Sequence, residues 1–268
     1  MTQWNQKVTV PGLSARKSEG IPITMLTAYD ASFARLLDQA RVDCVLVGDS
    51  LGNVIQGQTS TVPVTVDDVV YHVAAVRRGL ERALLIADLP FMSYFDSSTA
   101  MASAARLMRA GGEMVKLEGG QALVDTVRGL VANGVPVCGH LGLTPQHVHQ
   151  LGGYRVQARG QGPAQQLMDD ALALVDAGIG MLVLECVPQD LAARVASALP
   201  IPVIGIGAGA QVDGQVLVLY DMLGIGTDRP PKFVRNFMAG NDSVQSALSA
   251  YVKAVTDRRF PDPAHVYD

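Results

Sequence analysis

Short apolar runs alternate with longer amphipathic stretches along this chain. The runs at 22–28, 43–48, 83–88, 114–118, 135–140, 180–185 and 201–205 have strand length and end at polar or glycine positions. Between them, 31–40, 67–80, 97–110, 121–132, 163–177 and 189–198 carry helix formers at helical spacing, and 243–256 makes a closing helix. Asp30 is placed to cap the helix that follows it, and Pro11 with Ser14 suggests a short opening helix. The segment 215–223 accommodates a short helix and an eighth strand in either order. No Asn-Gly hairpin turn joins two strands, so the alternation predicts an all-parallel sheet, and eight repeats favour a closed (β/α)8 TIM barrel over an open doubly wound sheet. One domain over residues 1–268 is expected, with a short N-terminal helix and a C-terminal helical extension.

The ends of five consecutive runs share a feature. They finish on Asp49, Asp88, Glu118, His140 and Glu185. In the stretch MVKLE, Lys116 and Glu118 are two apart, so a strand sends both to one face while Val115 and Leu117 take the other. Reactive groups of such barrels lie at the C-terminal strand ends, which would set these five side by side on one rim. Strands are about 4.8 Å apart, so Asp49, Asp88 and Glu118 need a nearby cation, and an all-oxygen set suits Mg²⁺ better than zinc. The plainer alternative is that one or two of them cap helices or pair with arginine. Lys116 is expected to point inward, paired with Asp88 or Glu185. His140 fits either a site or a satisfied core histidine, and Glu185, two strands from the proposed metal group, suits a general base.

Composition narrows the classes. With 268 residues, 49% hydrophobic and 17% charged, the chain can bury one large core. A net charge of −4 gives no basic footprint for nucleic acid. Cys44, Cys138 and Cys186 lie in or beside apolar runs without metal spacing, which reads as reduced cysteines of a cytoplasmic protein. No signal core opens the sequence, and the uncharged part of 195–212 is broken by Pro200, Pro202 and three glycines, so no membrane span is expected. Gly205, Gly207 and Gly209 read as a tight turn, and His147 and His149 as surface residues. The glycine-rich 141–162 stretch lacks a period and is expected to cover the site as a lid. The tail from Phe260 shows no clear structure, leaving Phe260 and Tyr267 to pack on a neighbour or fray.

Seven segments, in order, resemble the ketopantoate hydroxymethyltransferase family: TMLTAYD (24–30), VGDSLG (47–52), ADLPFM (87–92), VKLEGG (115–120), VCGHLGLTP (137–145), LECVP (184–188) and IGIGAG (204–209). The resemblance implies a (β/α)8 barrel that makes ketopantoate from 3-methyl-2-oxobutanoate, with 5,10-methylenetetrahydrofolate as co-substrate, for pantothenate and coenzyme A. It implies one Mg²⁺ per subunit surrounded by Asp49, Asp88 and Glu118, directly or through water, and a Mg²⁺-stabilised enolate. It further implies a substrate-binding set of Ser50, Asp88, Lys116 and His140, with Glu185 as the base, in a cytoplasmic homodecamer. The family often has histidine where this chain has Tyr220, which puts a role for that position in doubt, and the variable 224–231 loop carries over no folate contact. Two other readings compete. The isocitrate lyase and phosphoenolpyruvate mutase group carries a loop cysteine that residues 139–145 lack, and a non-catalytic assembly protein would not need both Lys116 and Glu185.

Overall fold

Buried on both faces, the strands of a parallel barrel need continuous apolar sequence rather than alternation, and the short runs supply it. The computed structural model describes residues 6–226 and 230–268. Its strands are β1 (Ile23–Thr27), β2 (Cys44–Val47), β3 (Leu84–Asp88), β4 (Met114–Glu118), β5 (Val137–Gly142), β6 (Met181–Glu185), β7 (Val203–Ile206) and β8 (Gly214–Leu217). Each pairs in parallel with the next, and β8 returns to β1, closing the barrel. The expected (β/α)8 architecture is therefore present.

Around it run α1 (Val10–Ser18), α2 (Ala31–Gln39), α3 (Leu51–Val54), α4 (Val66–Arg77), α5 (Ser97–Arg109), α6 (Val124–Ala132), α7 (Val148–Leu151), α8 (Gln161–Asp176), α9 (Gln189–Ala198), α10 (Leu219–Met222) and α11 (Val244–Thr256). Asp30 caps α2 by accepting from the Ser32 and Phe33 amides, as its position suggested. Thr65 and Asp68 form a reciprocal capping box on α4. Two strands begin two residues later than the apolar pattern indicates. Pro136 and Pro202 precede them, and a proline cannot donate to the ladder, so β5 starts at Val137 and β7 at Val203. In the ambiguous 215–223 segment the strand comes first. Gly214 opens it because a Cβ there would lie 2.2 Å from the Ile23 carbonyl, so the β1–β8 seam closes only on glycine.

The N-terminal floor is held by charge. Asp43 receives Arg82 at 2.6 Å and Arg16, from α1, at 2.7 Å, and Thr24 donates through both its amide and its hydroxyl. At the seam, the Tyr251 hydroxyl of α11 faces the carbonyls of Met25 and Gln215, each 2.9 Å away. Phe237 and Phe260 pack edge-on around Tyr251 with ring centroids 5.4 to 6.1 Å apart. Phe260 is thus only 3% exposed, packed within its own chain rather than on a neighbour. Tyr251→Phe keeps the ring but removes the shared donor. It is expected to cost about 1 kcal/mol, read as a lower urea midpoint at unchanged m, with the fold retained.

Candidate active site

The strand-end residues come together in one cavity of about 490 Å³. Asp49, Ser50, Asp88, Lys116, Glu118, His140 and Glu185 all line it. Backbone register sets the neighbours: Asp88 lies opposite Lys116 across β3 and β4, and Glu118 opposite His140 across β4 and β5. Lys116 and Glu118 share the inward face, as spacing two requires, and both are buried. The Lys116 ammonium sits 2.6 Å from Asp88 Oδ1 and 3.5 Å from Glu118 Oε1. His140 bridges onward, with Nδ1 3.1 Å from Glu118 Oε1 and Nε2 3.3 Å from Glu185 Oε2. Glu185 is the more accessible carboxylate, its side chain 14% exposed against 1% for Glu118.

Desolvation and charge act in opposition here. Burial raises the Asp49 carboxyl well above its ordinary value, helped by the negative charge of Asp88 and Glu118, and burial raises Asp88 as well. For Glu118 burial also pushes upward, but Lys116 and His140 outweigh it and hold the group at about 2. Burial and Lys116 push His140 down, yet Glu118 and the nearby Glu185 bring it up to about 9. Against burial, the three carboxylates keep Lys116 charged, well above its usual range. Lys116 and His140⁺ therefore supply two positive charges to Asp49, Asp88, Glu118 and Glu185. The Asp49–Asp88 corner is left short of cation.

The metal expectation meets a mixed geometry. Among the described residues, no three Asp, Glu, His or Cys side chains converge as a ready-made cage. Asp49 and Asp88 adjoin each other, with the Asp49 amide donating to Asp88 Oδ2 at 3.1 Å. Asp88 Oδ1 is buried and accepts no well-directed hydrogen bond despite its ion pair. Glu118 instead faces Lys116, His140 and the Gln146 amide. These contacts make Asp49 and Asp88 the pair suited to direct ligation, with Glu118 one step back.

The ketopantoate hydroxymethyltransferase family model matches residues 7–263. The chain belongs to the ketopantoate hydroxymethyltransferase family. A 3-methyl-2-oxobutanoate hydroxymethyltransferase of Alteromonas mediterranea is 53% identical over 262 residues, 98% of this chain and 99% of that protein. One from Burkholderia thailandensis is 56% identical over 260 residues, covering 97% and 96%. Membership makes the chain an enzyme of the hydroxymethyltransferase class. Among solved structures, a phosphonopyruvate hydrolase superposes with a TM-score of 0.61 at 13% identity, over 80% of each chain. A 2,3-dimethylmalate lyase does so at 0.60 and 16%, over 80% of this chain and 82% of that one. At such identities they share the fold, and the family assignment comes from the close relatives. Among the described residues no helix is long and apolar enough to cross a membrane.

Several site residues of this family member carried no signal in the sequence. Gln146, buried in the 141–162 stretch, donates from Nε2 to Asp49 Oδ2 at 2.8 Å and to the Leu89 carbonyl at 3.0 Å. Its Oε1 accepts from the Tyr94 hydroxyl at 2.5 Å. Tyr29 lies 2.8 Å from the Ser50 hydroxyl and fixes it. From the same stretch Leu143, Pro145 and residues 154–156 line the cavity. Gly142 turns that stretch away from β5 at φ 90°, where a Cβ would meet the Glu185 carbonyl at 2.2 Å. His147 stays outside the cluster, its Nδ1 3.0 Å from Thr144 Oγ1. Gly207 and Gly209 form the expected turn, both at positive φ. Tyr220 packs against Tyr29 and Phe33 instead of lining the cavity. Of the 224–231 loop, residues 227–229 lie outside the described ones.

The raised His140 value has a sign. Its stabilising contribution is whole below the unfolded value of about 6.5 and is lost as pH rises through about 9. In protein stripped of divalent metal, the His140 ring proton seen by NMR is expected to titrate near pH 9. Glu118→Gln should lower that midpoint, because burial and Lys116 are then opposed by Glu185 alone.

Proposed function

We propose that the chain transfers a hydroxymethyl group from 5,10-methylenetetrahydrofolate to 3-methyl-2-oxobutanoate, giving 2-dehydropantoate in pantothenate synthesis. The observation that carries this reading is the pairing of an accessible carboxylate, Glu185, with a buried cluster of cations and carboxylates in one cavity. A divalent ion at Asp49 and Asp88 fits their oxygen chemistry and their elevated carboxyls. Glu118 would join through water. When bound, Mg²⁺ supplies Lewis acidity toward the 2-oxo and carboxylate oxygens of the substrate.

The remaining work falls to the chain's own side chains. Ser50, held by Tyr29, hydrogen-bonds the substrate carboxylate. Glu185 removes the proton from carbon 3, with His140 Nε2 3.3 Å from its Oε2 to hold it in place. Lys116 and His140 place donors where negative charge grows on the substrate oxygen. Water opens the folate methylene to formaldehyde, both of its carbon–nitrogen bonds breaking as tetrahydrofolate leaves, and the carbon 3 electron pair bonds to the formaldehyde carbon, whose oxygen takes up a proton and becomes the hydroxyl. Three buried, reduced cysteines support a cytoplasmic setting. Exposed Phe91, Met92 and Phe95 on the loop after β3 support self-association, a decamer in the proposed form.

Two measurements test this function. Deuterium exchange at carbon 3 of 3-methyl-2-oxobutanoate, followed by NMR with Mg²⁺, should proceed with the unsubstituted protein and without folate. Glu185→Gln should slow it about 10² to 10⁴-fold while leaving Mg²⁺ affinity intact; unchanged exchange would remove Glu185 from the role. Because burial favours the protonated forms of Asp49 and Asp88, Mg²⁺ binding should release protons and tighten as pH rises. Calorimetry in buffers of different ionisation heat reads that release.

A further inference from the structure

Asp221 is the one carboxylate lining the cavity that the chemistry above leaves unused. It stands in the first turn of α10, directly beyond β8. Asp49 is held by Gln146, Asp88 and Glu118 by Lys116, and Glu185 by His140. Among the described residues the Asp221 side chain has no hydrogen-bond or ion-pair partner, and burial alone pushes its carboxyl up to about 6. Asp221 is partly withdrawn from water, and the N–H groups of a ligand would replace the water it keeps.

The surroundings suit a flat ligand. Val216, Val218, Phe233 and Tyr267 line the same cavity as Asp221. Both rings pack over Gly207, where a Cβ would lie 3.0 Å from Phe233 and 3.1 Å from Tyr267. A cavity of about 490 Å³ falls in the range that holds drug-sized ligands. That is more room than a small branched oxo acid fills at the Ser50 and Lys116 end. A second ligand, larger and planar, belongs in the remainder.

We propose that Asp221 recognises the 2-amino-4-oxopyrimidine edge of a tetrahydropterin, its two oxygens accepting from the ring N3–H and the 2-amino group. Two coplanar N–H donors match a carboxylate as a bidentate pair, and aromatic walls favour the conjugated ring. The inference rests on the folate-donor reading above and names the contact that selects that donor.

The test uses the full chain with Mg²⁺ and titrates tetrahydrofolate, its 2-desamino analogue and 3-methyl-2-oxobutanoate into the unsubstituted protein, Asp221→Asn and Asp221→Ala. The unsubstituted protein should prefer tetrahydrofolate to the analogue. Asp221→Asn and Asp221→Ala should each lose about 10- to 100-fold in tetrahydrofolate affinity and bind the two pterins alike, with oxo acid affinity retained. Undiminished tetrahydrofolate affinity in either variant overturns the inference, as does a preference for tetrahydrofolate over the analogue that survives the substitution. A parallel loss of oxo acid binding in both variants overturns it too, since Asp221 then only supports the fold. If the unsubstituted protein exchanges carbon 3 deuterium yet binds no tetrahydrofolate, the donor reading itself fails, and this result differs from all the others.

Discussion

A lysine buried among carboxylates is the constraint on which this barrel turns. Lys116 has exchanged water for Asp88, Glu118 and the edge of His140. Moving one such ion from water into a protein interior costs several kcal/mol even after relaxation, and only close opposite charge offsets it. The cluster is therefore indivisible: removing the ammonium would leave three carboxylates with one imidazolium inside a water-excluding cavity. Strand register makes this balance possible. Because Asp88 faces Lys116 and Glu118 faces His140 across adjacent strands, opposite charges meet without any loop having to be positioned.

That rigidity separates the two halves of the cavity. Its floor is built from strand ends fixed by eight-fold hydrogen bonding. Its cover comes from the connection after β5, from the Phe233 region and from the tail at Tyr267. Proteins with 13 to 16% identity keep the barrel. The fold therefore tolerates wide change in sequence, and the chemistry lies in the few inward side chains.

What the sequence revealed follows the same division. Strand ends were legible because period two in MVKLE and the repeated polar stop after each apolar run are consequences of barrel geometry. The helix cap at Asp30 follows a local rule and was legible, whereas the starts of β5 and β7 were placed two residues early because Pro136 and Pro202 were read as part of the apolar runs. Gln146, Tyr94 and Asp221 were not legible. Asp221 lines the cavity and Gln146 and Tyr94 brace its carboxylates from turns and short helices, where no periodicity says which side chain points inward. Phe260, expected to pack on a neighbour or fray, instead packs on Phe237 and Tyr251 of its own chain, and a short proline-containing tail gives no hint of that cluster.

The seam between β1 and β8 has a kinetic meaning. The Thr27–Leu219 and Met25–Tyr251 contacts join positions 192 and 226 residues apart, whereas the other strand pairs join consecutive strands. Loop-closure entropy places such distant contacts late in folding. Until the seam shuts, water reaches the inward face, and the charges of the future site remain solvated and nearly independent. Their mutual dependence arises only at closure, after most of the sheet exists. Strain or relief within the cluster then registers mainly in how fast the barrel opens, and little in how fast it forms.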